Sequence, residues 1–195
     1  WFTQNTWYKP GAQSATAAMA EENQTPAIDP FANIHLQAKA ALVWDQSTDK
    51  VLFAKNADAP LPLASLTKIM SAVVAKDILK KSVPITLSAE DLLSEGDSGL
   101  KVGEIWQSDD LLRFSLLVSS NDGITAIAAA AGQKNLSASH DSALNIFVID
   151  MNQKAAALSL KTLSFQTPTG LDLNNQTEAS ATGSAQDVAR LFMRG

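Results

Sequence analysis

Residues 64–70 read Ala-Ser-Leu-Thr-Lys-Ile-Met and open an apolar run that predicts an α-helix over residues 65–81. Three residues of helix rotate a side chain by about 300° and raise it by about 4.5 Å, so Ser65 and Lys68 share one helix face. A serine hydroxyl is a poor nucleophile until a base takes its proton, and an uncharged lysine amine can do so. The pair therefore indicates a nucleophilic serine of the acyl-transfer type.

The ordinary interpretation of Ser65 is a helix N-cap, because serine is common at that position. A capping box would place Glu or Gln three residues later, whereas this chain has Lys68, whose charge is opposed by the unpaired N–H groups of a helix start. Those N–H groups and desolvation would both lower the pKa of the amine and favour its neutral form. The lysine therefore favours a chemical role over a cap.

The same Ser-x-x-Lys spacing occurs twice more, from Ser47 to Lys50 and from Ser98 to Lys101. Ser47 lies in a polar stretch between two apolar runs, which predicts the loop of a hairpin with strands over 40–44 and 51–54. Ser98 lies between two glycines in an irregular segment. Ser65 is the one that opens a long helix, and this context separates it from the other two.

A second group of polar residues, Ser119-Ser120-Asn121, falls between the apolar run 111–118 and the Ala-rich run 124–131. A loop between two helices can direct a hydroxyl and a carboxamide into a cleft, where the hydroxyl relays a proton and the amide orients a carbonyl or the lysine. The alternative is a turn followed by a helix cap, which would use the same residue types.

Ser65-x-x-Lys68 followed by Ser119-x-Asn121 resembles the first two motifs of penicillin-binding proteins and serine β-lactamases. The resemblance is strongest to D-alanyl-D-alanine carboxypeptidases, the low-molecular-mass penicillin-binding proteins of the serine D,D-peptidase family, and runs from about residue 38 to the end. The flanking stretches that agree are 64–70, 100–104, 116–122 and 167–171.

The resemblance implies a role for each matched position. Ser65 would be the acylated nucleophile, with its backbone N–H as half of an oxyanion hole, and Lys68 the base that deprotonates it. Ser119 would pass a proton to the departing D-alanine nitrogen, and Asn121 would bind the amide of the substrate. The implied reaction removes the terminal D-alanine from peptidoglycan stem peptides ending in D-Ala-D-Ala, with β-lactams as covalent inhibitors.

The implied fold is an α/β fold of the α+β type, in which helices pack on an antiparallel sheet. The third motif of the family, Lys-Thr-Gly or Lys-Ser-Gly, is absent from residues 1–195. Lys161-Thr162-Leu163 lacks the glycine and Ala181-Thr182-Gly183 lacks the lysine. We expect the motif and its strand to lie beyond Gly195, so that 34–195 is a partial domain without its C-terminal strands. Loss of one oxyanion donor slows catalysis by about 10² to 10³, and the piece alone should be weak or inactive.

Two alternatives to the carboxypeptidase remain. A β-lactamase-like hydrolase would need a carboxylate base for deacylation, and no Glu-x-x-Leu-Asn equivalent follows Asn121. A non-catalytic module that binds β-lactams or cell wall would keep the fold without turnover. The sequence beyond residue 195 would separate them, because a Lys-Thr-Gly or Lys-Ser-Gly on the next strand favours the enzyme.

Composition limits the other classes of function. The 195 residues are 46% hydrophobic and 18% charged, which suits one sizeable core preceded by a flexible linker over 1–33 that contains Pro10, Pro26 and Pro30. The net charge of −5, without a basic stripe, argues against a nucleic-acid partner. There is no cysteine, no Gly-x-x-x-x-Gly-Lys loop and no convincing calcium loop around Asp172, so no cofactor and no metal are expected.

The N-terminal aromatic cluster suggests where the protein works. No apolar run approaches 18 residues, but Trp1, Phe2, Trp7 and Tyr8 resemble an interfacial belt and predict an anchor or signal segment outside the given chain. Together with the resemblance, this predicts an exported protein on the extracytoplasmic or periplasmic face of the bacterial cell envelope.

The remaining turn and helix-cap residues predict the rest of the domain. Glycines at 96, 99 and 103 indicate loops in a polar stretch over 82–107 that could form one cleft wall, and His35 and His140 are expected in surface or cap roles. The other expected features are a helix start at Ser108, a helix stop at Gly132, a helix over 139–157, a strand over 163–165, and a capping box at Ser184-x-x-Asp187 before a helix over 185–194.

Overall fold

The computed structural model describes residues 30, 31, 33–93, 96, 98–133, 139–172 and 178–193. The chain divides into two compact units, Trp1–His35 and Leu36–Gly195. In the described part of the first unit, the backbone N–H of Ile34 donates to the carbonyl of Phe31 over 3.0 Å. The predicted linker 1–33 and its aromatic cluster therefore lie almost entirely outside the described residues.

The second unit begins with the predicted hairpin. Strands β1 (Ala41–Asp45) and β2 (Lys50–Lys55) pair in antiparallel register. In the turn, the Asp45 carboxylate accepts hydrogen bonds from the Thr48 hydroxyl at 2.6 Å and from the hydroxyl and backbone N–H of Ser47 at 2.7 and 2.9 Å. These bonds lower the pKa of Asp45 to about 2. Ser47 is therefore a turn residue, as its sequence context predicts.

The described residues contain five further strands, all antiparallel: β3 (Leu61–Pro62), β4 (Pro84–Thr86), β5 (Ile105–Gln107), β6 (Ser164–Phe165) and β7 (Ala181–Gly183). Strand β7 lies between β3 and β6, and β4 pairs with β5. The β4–β5 pair falls in the stretch 82–107, for which the sequence predicted loops, because three-residue strands are too short to show an alternating pattern. The C-terminal strands expected beyond residue 195 stay a prediction.

The described residues include five α-helices: α1 (Thr67–Ile78), α2 (Ser108–Val118), α3 (Asn121–Gly132), α4 (His140–Ala157) and α5 (Ala185–Phe192). Helix α3 is the central one, with nine of its twelve residues buried, and it packs against α1, α2 and α4. Its small side chains allow this close approach: a Cβ atom at Gly132 would overlap the carbonyl oxygen of Ala143. The mixture of helices and antiparallel strands confirms the predicted fold class.

Helix ends agree with the sequence where a local cap defines them. The Ser139 and Ser184 hydroxyls accept from the backbone N–H groups of Ser142 and Asp187, and α3 ends at Gly132 as predicted. The predicted helix over 65–81 is too long at both ends. Residues Ala64–Leu66 form a separate 3₁₀ turn before α1, and the chain leaves the helix after Ile78 so that it can reach β4.

The core fixes α1 from one side. Met70, Ile124 and Phe147, from α1, α3 and α4, are fully buried and belong to one hydrophobic core cluster. Burial of each such side chain contributes on the order of 1.5 to 3 kcal/mol. The face of α1 that carries the polar residues is thereby held in a fixed orientation. Within the described ranges, no helix has the length and apolar character needed to span a membrane.

Candidate active site

Ser65 lies on the 3₁₀ turn at the head of α1, where its side chain is exposed. The preceding residue, Ala64, has a positive φ of 45°, which lifts the turn away from ordinary helix geometry. Gly170, with φ of 79°, packs directly under this turn: a Cβ atom there would overlap the Ala64 carbonyl oxygen. The turn that carries Ser65 is therefore supported by the segment around Gly170, about 100 residues further along the chain.

Lys68 extends from the first turn of α1 into a buried space, with 2% of the residue exposed. Its Nζ lies 2.8 Å from the Ser65 hydroxyl and 3.0 Å from the carbonyl oxygen of Thr169. Burial lowers the pKa of the amine from 10.5 to about 8, because desolvation penalises the charged form. At pH 7 about one molecule in ten would then carry a neutral amine, which can accept a proton from Ser65.

Of the two roles that the sequence left open for this loop, the helix cap belongs to Ser120. Ser120 is the N-cap of α3, where its hydroxyl accepts from the backbone N–H of Gly123 at 3.0 Å. Ser119 ends α2 in the left-handed conformation, with φ of 58°. Because Ser120 provides the cap, the hydroxyl of Ser119 remains available to the cleft.

A cleft of about 650 Å³ brings Ser65, Lys68 and Ser119 together. Its apolar walls come from α1, α2 and α5, through Ile69, Ala72, Val73, Leu112, Leu116 and Phe192. Asn121, the first residue of α3, does not line this cleft. It is half-buried next to Gly96, where its Nδ2 would lie 3.8 Å from a Cβ atom. Three of the four predicted site residues therefore meet in one cleft, and the fourth lies two residues from Ser119.

Ser98, which begins one of the other two Ser-x-x-Lys patterns, holds the start of α3 in place. The Ser98 hydroxyl donates to Asp122 Oδ2 at 3.1 Å and accepts from the Ser120 hydroxyl at 2.8 Å. These bonds tie Ser98 to the start of α3, but the described residues that line the cleft do not include Ser98 or any other residue of the stretch 82–107. Ser98 lies outside helices and strands, as its sequence context predicts, but no pattern in the chain indicated this contact.

His140 is more buried than the sequence predicted. Its Nε2 lies 2.9 Å from Asp91 Oδ1 and its side chain is 16% exposed, so it is partly buried at the start of α4, whereas His35 is exposed as expected. Asp91 is itself buried, and a buried carboxylate needs polar partners. The Ser142 hydroxyl bonds with Ser139 instead of His140, so His140, Asp141 and Ser142 do not form a catalytic triad.

Neither near-match to the third motif reaches the cleft. The Thr162 hydroxyl donates to Asp187 Oδ2 at 2.7 Å, and its oxygen lies 2.9 Å from the Ser184 hydroxyl at the start of α5. Thr182 is part of β7, paired with Pro62. In the described part of the chain, no cluster of His, Asp and Glu side chains could hold a metal ion.

The sequence also missed the partner that holds Lys68. The stretch 167–171 was noted for its resemblance, but nothing in it indicated that the Thr169 carbonyl would bind an amine 101 residues earlier. Backbone carbonyls are the same in every residue, so such a contact has no residue-type signature. The glycine at 170, which the close approach to Ala64 requires, is the one local signal that could have pointed to it.

A serine hydroxyl beside a buried amine of lowered pKa, with a second serine in the same cleft, is the arrangement that a serine nucleophile with a lysine base requires. Residues 14–194 match the family model described as D-alanyl-D-alanine carboxypeptidase, and the chain belongs to this family.

Individual relatives agree with that assignment. The chain is 35% identical over 161 residues to a D-alanyl-D-alanine endopeptidase of Pseudomonas aeruginosa, covering 81% of this chain and 47% of the relative. It is 35% identical over 160 residues to the carboxypeptidase DacF of Bacillus subtilis, covering 78% and 37%. Among solved structures it is similar to penicillin binding protein 5 of Haemophilus influenzae, with a TM-score of 0.67 at 26% identity, covering 82% and 45%. The chain thus spans about half the length, or less, of these relatives.

Proposed function

We propose that the complete protein is a serine D,D-carboxypeptidase that removes the terminal D-alanine from peptidoglycan stem peptides through an acyl-enzyme on Ser65. The observation that carries this proposal is the 2.8 Å contact between the Ser65 hydroxyl and a Lys68 amine whose pKa burial lowers to about 8. Membership of the D-alanyl-D-alanine carboxypeptidase family supports the choice of substrate.

In the proposed reaction, Ser65 Oγ attacks the carbonyl carbon between the two D-alanines while its proton passes to the neutral Lys68 Nζ. The resulting oxyanion is stabilised by the backbone N–H of Ser65. The Ser119 hydroxyl then relays a proton from the lysine to the departing D-alanine nitrogen as the C–N bond breaks. Water hydrolyses the ester, which returns the proton to Ser65 and releases the shortened peptide.

Asn121 and a third motif complete the proposed site. Asn121 is proposed to bind the substrate amide, which requires its side chain to turn towards the cleft that Ser119 lines. A Lys-Thr-Gly or Lys-Ser-Gly in sequence beyond residue 195 is proposed to give the second oxyanion donor and a cation for the terminal carboxylate of the substrate. Reading that sequence tests this part directly, and a strand without the motif would favour the non-catalytic binding module.

The main experiment measures both the covalent labelling of the nucleophile by penicillin and the release of D-alanine. The complete protein is incubated with a fluorescent penicillin, the labelled residue is mapped by mass spectrometry, and D-alanine release from a pentapeptide ending in D-Ala-D-Ala is measured separately. We expect the label on Ser65 and D-alanine release in the unlabelled enzyme. A Ser119→Ala variant should lose release of the leaving group by about 10² or more while it still folds. Label on a different residue would overturn the assignment of the nucleophile.

A second candidate is a D,D-endopeptidase that cleaves cross-links between stem peptides. The 35% identity to a protein named as an endopeptidase favours it. Both reactions use the same acyl-enzyme and differ in the leaving amine, so the same site can support either. Parallel assays with a pentapeptide and a cross-linked dimer separate them by the ratio of their kcat/KM values.

The substrate also determines where the protein would work. Peptidoglycan lies outside the cytoplasmic membrane, so we propose export to the extracytoplasmic or periplasmic side, with an anchor or signal segment outside residues 1–195. Fractionation of cells that express the complete protein tests this. Recovery in the cytoplasmic fraction alone would contradict the proposal.

A further inference from the structure

Two side chains of α1, one turn apart, hold two consecutive carbonyl groups of the segment 167–170. Lys68 Nζ donates to the Thr169 carbonyl at 3.0 Å, and the Ser71 hydroxyl donates to the Pro168 carbonyl at 2.6 Å. Ser71 is 1% exposed, so its bond is made without competition from bulk water. The lysine of the proposed reaction and a buried serine thus bind neighbouring carbonyls of one backbone segment.

The position of the Thr169 carbonyl determines how the Lys68 amine can meet Ser65. A neutral amine has two N–H donors and one lone pair, and a carbonyl oxygen can only accept. The carbonyl therefore takes one N–H and limits the directions left for the lone pair that must receive the Ser65 proton. A displaced carbonyl would turn the lone pair away from the hydroxyl, and small displacements of reacting groups are costly in rate.

The segment that contains this carbonyl is fixed at both ends. At one end, Gly170 packs on the Ala64 carbonyl, and its N–H donates to Thr167 Oγ1 at 3.1 Å. At the other end, the Ser71 hydroxyl holds the plane of the peptide that joins Pro168 to Thr169. Without this hydroxyl, the Pro168 carbonyl would be buried at that point without its donor, and the segment would move to find another.

We infer that Ser71 is a positioning residue for the proposed reaction. By holding the Pro168 carbonyl, it fixes the position of the neighbouring Thr169 carbonyl. The Thr169 carbonyl in turn aligns the Lys68 amine on Ser65. The inference rests on the proposed function. Ser71 touches neither the nucleophile nor the substrate path, and it acts through the backbone of residues 168 and 169.

The other charged groups that line the cleft are already paired. Lys76 Nζ lies 2.9 Å from Asp109, and Asp77 lies 2.6 Å from Lys154 Nζ. A change in the pH dependence of acylation after substitution of Ser71 would therefore report on Lys68 and its backbone partner.

The test measures the rate of acylation of the complete protein by a fluorescent penicillin from pH 6 to pH 10. For Ser71→Ala we expect a rate about tenfold lower at pH 7 and a pH midpoint displaced upwards, because a looser segment admits water and weakens the desolvation of the amine. Ser71→Thr keeps the hydroxyl, and the flexible Met151, whose Sδ is 3.6 Å from Ser71 Oγ, can adapt to the added methyl group. This variant should recover most of the rate and the midpoint.

Ser184→Ala is the matched control. Ser184 is equally buried, and its hydroxyl caps α5 outside the cleft, so its loss lowers stability without contact with residues 167–170. A similar shift of midpoint in this control, or an unchanged rate and midpoint in Ser71→Ala, overturns the inference. If Ser71→Ala does not fold, Ser71→Cys, a weak donor of similar size, takes its place with the same expected direction.

The same data separate this inference from the proposed function. Wild-type protein that takes label on Ser65, together with an unaltered Ser71→Ala, overturns the role of Ser71 and leaves the proposed function standing. Wild-type protein that takes no label overturns both.

Discussion

Ser65 and Ser98 begin the same Ser-x-x-Lys pattern, yet the two regions have nothing else in common. Lys68 turns back onto Ser65 in a space that is almost closed to water, whereas Lys101 is exposed and Ser98 bonds with Ser120 and Asp122. In the first region an α-helix begins two residues after the serine, and a distant segment covers the lysine. The spacing alone therefore does not make a nucleophile, and burial of the amine beside the hydroxyl does.

Removal of the two serines should give the largest contrast between the regions. Ser65→Ala should abolish covalent penicillin labelling, a loss of at least about 10³, because no hydroxyl remains to be acylated. Ser98→Ala should still take label on Ser65 and lose about 1 kcal/mol of stability with its two hydrogen bonds. Labelling and chemical denaturation of both variants measure this contrast. Equal labelling of Ser65→Ala and wild type would remove Ser65 from the site.

Substitution of Lys68 should again slow acylation more than substitution of Lys101, and the contrast should be smaller than that between the two serines. Lys68→Ala should slow acylation by about 10² to 10⁴, the usual contribution of a general base. Lys101→Ala, at an exposed position, should leave the rate within about a factor of two. Stopped-flow or quenched labelling at pH 8 gives both rates. A Lys101 effect as large as that of Lys68 would contradict the assignment of the base.

Substitution of Gly170 and of Gly99 tests how tightly the backbone packs near Ser65 and near Ser98. Gly170→Ala should cost on the order of 2 to 3 kcal/mol, since the new Cβ overlaps the Ala64 carbonyl and φ is positive. Gly99 also has a positive φ, of 78°, but a Cβ atom there meets nothing within 4 Å. Gly99→Ala should therefore cost about 1 kcal/mol. Urea unfolding compares the two, and equal losses would mean that contact with Ala64 does not matter.

The smallest expected effect is a pH dependence of stability. Because folding lowers the pKa of Lys68 from 10.5 to about 8, the unfolded chain binds more protons than the folded chain between these values. Stability should therefore rise with pH across this window, by about 1 to 2 kcal/mol relative to a Lys68→Met variant. Unfolding free energies of both proteins at pH 7.5 and 9.5 check this. A parallel pH dependence in the two proteins would show that the amine is not desolvated.

Local signals in the sequence were sufficient for much of the fold. The hairpin turn at Ser47, the end of α3 at Gly132 and the caps at Ser139 and Ser184 depend on neighbours within about four residues, and the structure confirms them. The strands β4 and β5 were missed because three residues carry too little pattern. The helix over 65–81 was predicted too long because its ends have no cap side chain.

The contacts of the candidate site also divide into local ones, which the sequence predicted, and long-range ones, which it did not. Ser65 and Lys68 are neighbours along one helix turn, and Ser119 lies in a loop that its flanking helices define, so their meeting could be expected. The Asp91–His140 contact spans 49 residues and the Ser71–Pro168 contact spans 97, and neither has a pattern in the chain. Such contacts depend on how complete elements pack.

By itself, the sequence determined the local geometry: an alcohol and an amine one turn apart, the helix caps, and the resemblance that identifies the family. Only the tertiary structure decided that the amine is desolvated, through the packing of residues 167–170 over α1. The physical reason is that hydrogen bonds within a turn are set by backbone dihedrals, whereas the exclusion of water requires atoms from distant parts of the chain to fill the same volume.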